Sequence, residues 1–282
     1  MKIGVFYHHV CCAAEETGRS LDEMLATIRS WGIGYVELDR DAIGSDDAQL
    51  QALSDQLKRN DLKPSSIYGF YDWGAGKLPD ESDLLLHQAE LLGCPRVMVI
   101  PGFYTDLADS AQCAREKQNM IAGTQAFVQL AAKRNLTVTI ECFDDGRSPI
   151  ATIEGMQAFL DAVPQLYVTL ETGNFIFSGD DILEAQRHFA DRVRHVHLKD
   201  RWRPAQCGGQ NVPGADMVTA ATGETLCACA VGQGHMPIAE VIAGLNASNY
   251  DGVMTIEHFG AASYAEAIRA SAAWLREGEA RS

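Results

Sequence analysis

The chain has few of the features that mark membrane, nucleic-acid-binding or disulfide-stabilised proteins. No apolar run approaches the roughly 20 residues that span a bilayer, and the opening MKIGVFYHHV lacks the uniform apolarity of a signal peptide. Only 23 basic residues stand against 38 acidic ones, so the formal net charge is -15. Binders of phosphate backbones or anionic lipids present basic patches instead. We therefore expect a cytoplasmic protein with neither a nucleic-acid nor a membrane partner.

Cysteine pairs with the CxxC spacing are also missing. The eight cysteines are scattered, and a chain of 282 residues with 46% hydrophobic content can bury a large core without cross-links. We therefore expect free thiols. Cys227 and Cys229, with His195 and His197 upstream, could suggest a zinc site, but the CxC spacing gives that interpretation little support.

Short β-branched runs alternate with longer amphipathic stretches, which is the pattern of strand–helix units around a parallel sheet. The predicted strands are 2–7, 34–38, 63–69, 96–101, 137–142, 166–171, 193–199 and 252–257. The predicted helices are 19–31, 46–60, 80–93, 109–134, 150–162, 178–190, 235–247 and 262–278. Eight such units predict an α/β fold of the (β/α)8 TIM-barrel type. A doubly wound open sheet is the alternative, but HHVCCAAEE stands where its glycine-rich phosphate loop would be.

The division into domains is simple, because the sequence shows no linker, repeat or low-complexity tract. One barrel domain over residues 1–282 is the prediction. The interval after the seventh strand is about twice the others, and residues 201–234 are rich in Gly, Pro and Gln. We interpret them as a long loop that can include a hairpin and that serves a site.

Four potential metal ligands lie at or near the ends of the last four predicted strands. They are Glu141, Glu171, His197 and Glu257. In a TIM barrel these strand ends meet at the active-site face, and neighbouring strands are about 5 Å apart. Burying such groups singly is costly, so their common position predicts that they share a cation. Taken alone, each glutamate would be read as a capping or salt-bridged residue, and the histidine as part of the core.

Three carboxylates and one imidazole suit one divalent ion. Mn²⁺ fits this donor set best, and Mg²⁺, Co²⁺ or Zn²⁺ also fit it. Without a cation the carboxylates would repel one another, so we expect binding that is linked to protonation.

The chain resembles the xylose-isomerase-like TIM barrels, specifically the sugar phosphate isomerase/epimerase group with ketose 3-epimerases, hydroxypyruvate isomerases and inosose dehydratases. The resemblance covers essentially the whole chain and is carried by IGVFY, GYVELD, IECFDD, LETGNF, HVHLKD, VGQGHMPIAEVIAGL and YDGVMTIEHFG. It implies a divalent ion held by Glu141, Glu171, His197 and Glu257. Two positions depart from the family pattern: residue 171 is Glu in place of the usual Asp, and residue 174 is Asn where epimerases often have a substrate-binding His. GQG at 232–234 also stands where relatives often have GEG.

The resemblance implies a sugar, sugar phosphate or polyol isomerase or epimerase that abstracts a proton beside a carbonyl and passes through an enediolate. Glu141 and Glu257 would act as base and acid, on opposite faces for epimerisation or on one face for isomerisation. Loss of a β-hydroxyl from the same intermediate would make the protein a dehydratase of the inosose type. Two other classes are an AP-endonuclease-like metal hydrolase, disfavoured by 8 histidines and the negative charge, and a non-catalytic sugar-binding barrel.

Several further residues are candidates for binding the substrate. They are Asn174, Arg201, Arg203, His8, Trp73 and Tyr68. The two arginines could bind a terminal oxyanion or phosphate, and the aromatic side chains could form an apolar wall against a sugar. The resemblance also implies a homodimer or homotetramer as the assembled form.

Overall fold

Parallel strands close into a barrel in the computed structural model, which describes residues 1–281. The strands are β1 Lys2–Phe6, β2 Tyr35–Asp39, β3 Lys63–Phe70, β4 Arg96–Ile100, β5 Thr137–Glu141, β6 Tyr167–Glu171, β7 Val193–Trp202, β8 Met217–Thr219, β9 Thr225–Cys229 and β10 Val253–Glu257. Strands β1 to β7 pair in chain order, and β10 pairs in parallel with both β7 and β1. The sheet therefore closes on itself, and the predicted TIM barrel is confirmed.

Helices surround the barrel. They are α1 Tyr7–Thr17, α2 Leu21–Ser30, α3 Asp47–Arg59, α4 Leu84–Leu92, α5 Ser110–Ala132, α6 Ile153–Ala162, α7 Phe175–Ser178, α8 Ile182–His188, α9 Ile238–Ala247 and α10 Tyr264–Arg281. Each predicted helix has a counterpart. Among the helices of residues 1–281, none combines the length and apolarity needed to cross a membrane.

Several helices begin and end at residues with strong local preferences for those positions. Ser20 and Glu23 form a complete capping box at the start of α2. Gly32, Gly93 and Asn135 adopt left-handed backbone conformations after their helices, with φ of 90°, 64° and 57°. These residues end the helices because the left-handed conformation is accessible to glycine and asparagine at low cost.

The first helix was not predicted from the sequence. Helix α1 begins directly after β1 and ends at Gly18, whose φ is 65°. Its buried face is made by His9, Val10, Ala13 and Ala14. Only one of these side chains is a large aliphatic one, so the hydrophobic periodicity over this segment is too faint to indicate a helix.

The helix predicted over 178–190 corresponds to α8, Ile182–His188, and a separate short helix, α7, ends at Ser178, where the predicted range begins. Gly179 has a φ of 91° and ends α7, and the Asp181 side chain then accepts the backbone N–H of Glu184 as the cap of α8. A left-handed glycine followed by an N-cap aspartate starts a new helix with a new axis.

The segment after the barrel part of β7 forms an antiparallel hairpin. β7 continues to Trp202, pairs there with β9, and β9 pairs with β8. The buried Asp200 anchors the following loop: its carboxylate accepts backbone N–H groups from Arg201, Gly232, Gly234 and Met236 at 2.9–3.1 Å. The strand, the hairpin and the loop are thus fixed together at the barrel mouth.

Candidate metal centre and active site

Strand β7 carries four buried polar residues of the site. Its alternate residues His195, His197, Lys199 and Arg201 are all buried. Because side chains alternate across a strand, this set lies on one side of β7, and the contacts below show that it is the interior side. The barrel interior therefore contains imidazoles at mid-depth and cations nearer the mouth.

Three of the four predicted ligands come together around His197. Its Nδ1 lies 2.7 Å from Oε2 of Glu141 and 3.2 Å from Oε2 of Glu257. The three residues each bring one ligand atom to within 4.8 Å of the others, and all three are buried. This separation is compatible with a shared cation, because ligand atoms around one divalent ion lie on a sphere of about 2 Å radius.

The fourth predicted ligand, Glu171, is differently engaged. It is fully buried on β6 beside His197, with which it is in register. Both of its carboxylate oxygens accept the backbone N–H of Gly173 at 3.0 Å. Glu171 therefore lies next to the Glu141–His197–Glu257 cluster, but its carboxyl oxygens are hydrogen-bonded within its own loop.

A second buried cluster lies directly beneath the first and includes a residue that sequence analysis missed. Oε2 of Glu37 on β2 lies 2.9 Å from Nε2 of His197 and 2.7 Å from Nε2 of His195. Glu37, His195 and His197 also form a group that could hold a metal. If His197 donates its Nε2–H to Glu37, its Nδ1 lone pair is directed at Glu141 and Glu257, which is the arrangement by which a carboxylate orients a metal-binding histidine.

Burial and neighbouring charges shift the pKa values of the residues in this centre in opposite directions. Burial raises the pKa of Glu141 and raises that of Glu171 well above its usual value. Burial also favours the protonated form of Glu257, but Lys199 and His197 outweigh it and lower the pKa of Glu257 to about 2. For His197, burial favours the neutral form, but Glu37 and Glu141 outweigh it and raise the pKa well above its usual value. A positive charge among these carboxyl groups would therefore stabilise their ionised forms.

The donor set and one orphaned atom fit a divalent ion. Oε2 of Glu257 is buried and accepts no well-formed hydrogen bond among the described residues, because Nδ1 of His197, 3.2 Å away, is already paired with Glu141 at 2.7 Å. Such an atom costs free energy unless something satisfies it. A cation bound by Glu141, His197 and Glu257 would do so and would take the place of the proton on His197.

A cavity of about 480 Å³ opens above the cluster. Glu141 and Glu257 form part of its floor, and Lys199 lies beside them, with its Nζ 2.7 Å from Oε1 of Glu257. Aromatic rings of Phe6, Tyr68, Phe70, Phe143 and Phe259 line much of the wall. The volume is in the range typical of small-molecule sites.

Three of the predicted substrate-binding residues line this cavity. They are Tyr68, Asn174 and Arg201. The Asn174 amide donates to the backbone oxygen of Cys142 at 2.9 Å, and its Oδ1 lies 3.4 Å from Nη2 of Arg201. The Tyr68 hydroxyl donates to Asp39 at 3.1 Å.

The other three lie outside the cavity lining. Arg203 forms a two-pronged ion pair with Glu224 at 2.7 and 2.8 Å, on the far side of the hairpin. Trp73 is buried against α5, where Gly123 leaves room for its ring. His8 is exposed on α1 and stacks on Phe259, 5.6 Å between ring centroids. Cys227 and Cys229 are buried on β9, and neither potential metal group of the described residues includes a cysteine.

Two missed residues carry signals that the sequence does contain. Glu37 in GYVELD is a carboxylate inside an apolar strand, the same pattern that singled out the other ligands. Asp144 follows β5 in IECFDD, and its Oδ2 lies 2.5 Å from Nη2 of Arg201 and 3.6 Å from Nζ of Lys199. Both could have been found by treating every strand end alike.

Comparison with known proteins agrees with this geometry. The family model described as xylose isomerase-like TIM barrel matches residues 25–278. The chain belongs to the xylose isomerase-like TIM barrel family. The resemblance deduced from the sequence motifs is thereby confirmed, and the relatives found are sugar-modifying enzymes, epimerases and dehydratases among them.

Individual relatives are distant or match only in part. An inosose dehydratase of Clostridium perfringens is 34% identical over 53 residues, 18% of this chain and 18% of that protein. The probable 3-DHS dehydratase of Bacillus anthracis superposes with a TM-score of 0.73 at 15% identity, covering 98% of this chain and 99% of that one. A D-psicose 3-epimerase of Clostridium cellulolyticum crystallised with D-tagatose gives 0.71 at 15%, covering 99% of each chain. These structural likenesses establish the fold.

Proposed function

We propose that the protein is a divalent-metal-dependent sugar or polyol isomerase or epimerase that removes a proton from the carbon beside a carbonyl. The observation that carries this proposal is the buried Glu141–His197–Glu257 cluster at the floor of the cavity. Glu171, the adjacent buried carboxylate, would complete the ligand set. Mn²⁺ suits these donors best, and Mg²⁺, Co²⁺ or Zn²⁺ would also be accepted.

The cation, when bound, would polarise the carbonyl group of the substrate and so acidify the neighbouring C–H. Glu257 suits the role of base, because Lys199 at 2.7 Å keeps its carboxylate ionised. Glu257 takes the proton, the C–H electron pair becomes a carbon–carbon double bond, and the π pair of the carbonyl group moves to its oxygen, which gives an enediolate. Glu141, whose pKa is raised by burial, suits the return of a proton.

The carbon atom to which the proton returns, and the face from which it arrives, decide the product. Return to the same carbon from the opposite face inverts its configuration, whereas return to the former carbonyl carbon moves the carbonyl along the chain. The aromatic wall supports either outcome, because it limits the access of water that would otherwise protonate the intermediate at random.

Dehydration is the second candidate, favoured by Lys199 and by the partial match to inosose dehydratases. Lys199 is a buried ammonium in the cavity wall. Its ammonium could hold a β-hydroxyl by a hydrogen bond while Glu141, whose pKa is raised by burial, gives the proton with which that group departs from the enediolate as water. Asn174 cannot titrate, so it would serve either reaction only as a hydrogen-bonding group.

A solvent-exchange assay tests the proposal. The protein is stripped with a chelator, reloaded with Mn²⁺, and incubated in deuterated water with a panel of ketoses and inososes. Deuterium at the carbon beside the carbonyl, dependent on the metal, is the expected result. Exchange without loss of water identifies an isomerase or epimerase, and accumulation of an unsaturated product identifies a dehydratase. Absence of exchange and of elimination across the panel would contradict both.

Glu257→Gln provides the matched variant. It keeps the size of the side chain but removes the base, so exchange should fall by at least about a thousandfold. Glu116→Gln is the control, because Glu116 is a buried carboxylate that binds Thr105 away from the cavity. An unchanged rate in folded Glu257→Gln would reject the catalytic assignment.

A further inference from the structure

The charge lining the mouth cavity is predominantly negative. Among the described residues that line it, five carry carboxylates: Asp39, Glu141, Asp144, Asp216 and Glu257. Two carry cations, Lys199 and Arg201. The carboxylates thus exceed the cations by three charges. A divalent ion would leave an excess of one negative charge before the buried Glu171 is counted.

Neither cation is available to an anionic ligand. Nζ of Lys199 lies 2.7 Å from Glu257 and 3.6 Å from Asp144, and Nη2 of Arg201 lies 2.5 Å from Asp144. Nε of Arg201 also donates to the backbone oxygen of Gly173 at 3.3 Å. Both cations are nearly fully buried. A phosphate that recruited either one would leave a buried carboxylate without its partner, which is costly.

Arg203, the other arginine that the sequence suggested for phosphate binding, is also paired elsewhere. Both prongs of the Arg203 guanidinium are occupied by Glu224, and Arg203 does not line the cavity. The two carboxylates nearer the rim add to the effect: Asp216 is exposed beside the hairpin, and Asp39 accepts the Tyr68 hydroxyl. An approaching anion would meet negative charge first.

The same cavity suits an uncharged polyhydroxylated ligand. Phe70 and Phe259 are 40% and 38% exposed, unusual for phenylalanine, and both face the cavity. Rings of this kind cover the C–H face of a sugar, while carboxylates at the rim accept hydrogen bonds from hydroxyl groups. An apolar wall with acceptor groups is complementary to a neutral sugar.

Resting on the proposed function, we infer that the substrate is an uncharged ketose or cyclic polyol ketone and that sugar phosphates and sugar acids are excluded. Asp39 and Asp216 act as specificity-determining residues that repel anions at the rim. Asp144 acts inside the cavity, where it forms ion pairs with both Lys199 and Arg201 and so keeps them from binding an anion.

The test compares matched pairs in the deuterium-exchange assay with the Mn²⁺-loaded protein. D-fructose is compared with D-fructose 6-phosphate, and D-tagatose with D-tagatose 6-phosphate. The expected result is a kcat/KM at least about a hundredfold higher for the unphosphorylated member of a pair. Equal or faster exchange of a phosphorylated member would overturn the inference while leaving the proposed function standing. Absence of exchange and of elimination with these compounds and with the whole panel of ketoses and inososes would overturn the proposed function, and this inference with it.

Charge variants test the residues assigned to exclusion. Asp39→Asn and Asp216→Asn should each raise the relative kcat/KM for the phosphorylated member, by about threefold to tenfold at low salt and less at high salt. Asp251→Asn is the control, since Asp251 is an exposed carboxylate near Lys2 and outside this cavity. A discrimination ratio that stays the same in both rim variants would reject their role.

Discussion

Oε2 of Glu37 lies 2.9 Å from Nε2 of His197, and Oε2 of Glu141 lies 2.7 Å from Nδ1 of the same ring. One imidazole therefore connects the buried middle of the barrel to the floor of the cavity. Glu37 is fully buried and its Oε1 has no hydrogen-bond partner among the described residues. Such a carboxylate is costly to keep, so its contacts with His195 and His197 are the interactions that offset this cost.

Glu37→Gln should weaken binding of Mn²⁺ by about 10-fold to 100-fold. The amide oxygen can take the place of Oε2 but carries no full negative charge, so it binds the two imidazoles more weakly and fixes the tautomer of His197 less firmly. Calorimetric titration of the chelator-stripped protein measures the affinity, with Glu116→Gln as the control. An affinity unchanged within twofold would show that Glu37 does not orient a metal ligand.

Glu171→Gln separates two roles of that residue. The Gln side chain still has an oxygen that can accept the Gly173 N–H, so a purely structural role should survive the change. A role as metal ligand should not survive the change. We therefore expect the affinity for Mn²⁺ to fall at least about tenfold, while the free energy of unfolding of the metal-free protein changes little. Glu171→Asp should restore part of that affinity. Wild-type affinity in Glu171→Gln would exclude ligation.

Asp200→Asn should destabilise the protein by about 3 kcal/mol. Each Asp200 oxygen accepts backbone N–H groups, Oδ1 from Arg201 and Met236, Oδ2 from Gly232 and Gly234. An amide in either orientation points N–H groups at other N–H groups. Urea unfolding of the metal-free protein measures the loss, and Asp145→Asn, which alters a more exposed carboxylate paired with Arg147, is the control. A loss below about 1 kcal/mol would contradict the anchoring role.

The contribution of buried His258 to the stability of the metal-free protein should fall as the pH decreases from 6.5 towards 4, whereas Glu141, Glu171 and His197, whose pKa values are raised, act in the opposite direction. Burial lowers the pKa of His258 from 6.5 to about 4, and both of its ring nitrogens lack partners among the described residues. The unfolded chain therefore takes up a proton first, so the contribution is present above pH 6.5 and lost on acidification. At pH 5 the expected loss from this residue is about 2 kcal/mol. His9 and His195, whose pKa values are also lowered, should add to it.

His258→Phe isolates this contribution, because it keeps a ring that can stack on His9 and removes the titrating group. The difference in the free energy of unfolding between pH 7.5 and pH 5 should shrink by about 2 kcal/mol in the variant. Urea titrations in the presence of EDTA measure it without a contribution from metal release. An undiminished difference would place the acid sensitivity elsewhere.

Strands and most helices of this barrel could be predicted from the sequence because buried parallel strands are continuous apolar runs and the helices between them are amphipathic. The failures have local causes. Helix α1 has a buried face of small side chains, and the helix predicted from residue 178 begins only at Ile182, because Gly179 ends α7 and Asp181 caps α8. Tertiary contacts of α1 with α10 and α2 stabilise a helix that its own sequence barely indicates.

The ligands at strand ends were predictable for the same reason, but the charges between them were not. Position in a strand indicates that Glu141, His197 and Glu257 face one another. It cannot indicate that Lys199 pairs with Glu257, or that Asp144 occupies Arg201, because loop conformation and rotamers decide these pairings. Likewise Trp73 packs against α5 because Gly123, which faces its ring, has no side chain. Such a fit between distant segments cannot be predicted from either segment alone.

The hairpin of β8 and β9 joins the barrel through the outer end of β7, yet Asp216 and Val218 from it line the cavity. Its hydrogen bonds to β7 begin at Asp200, beyond the residues that close the sheet with β10. The segment between Trp202 and Cys227 could therefore be exchanged for the equivalent stretch of a relative without breaking the closed ladder of strands. Such a transplant would give engineers a way to retarget the pocket while its floor stays untouched.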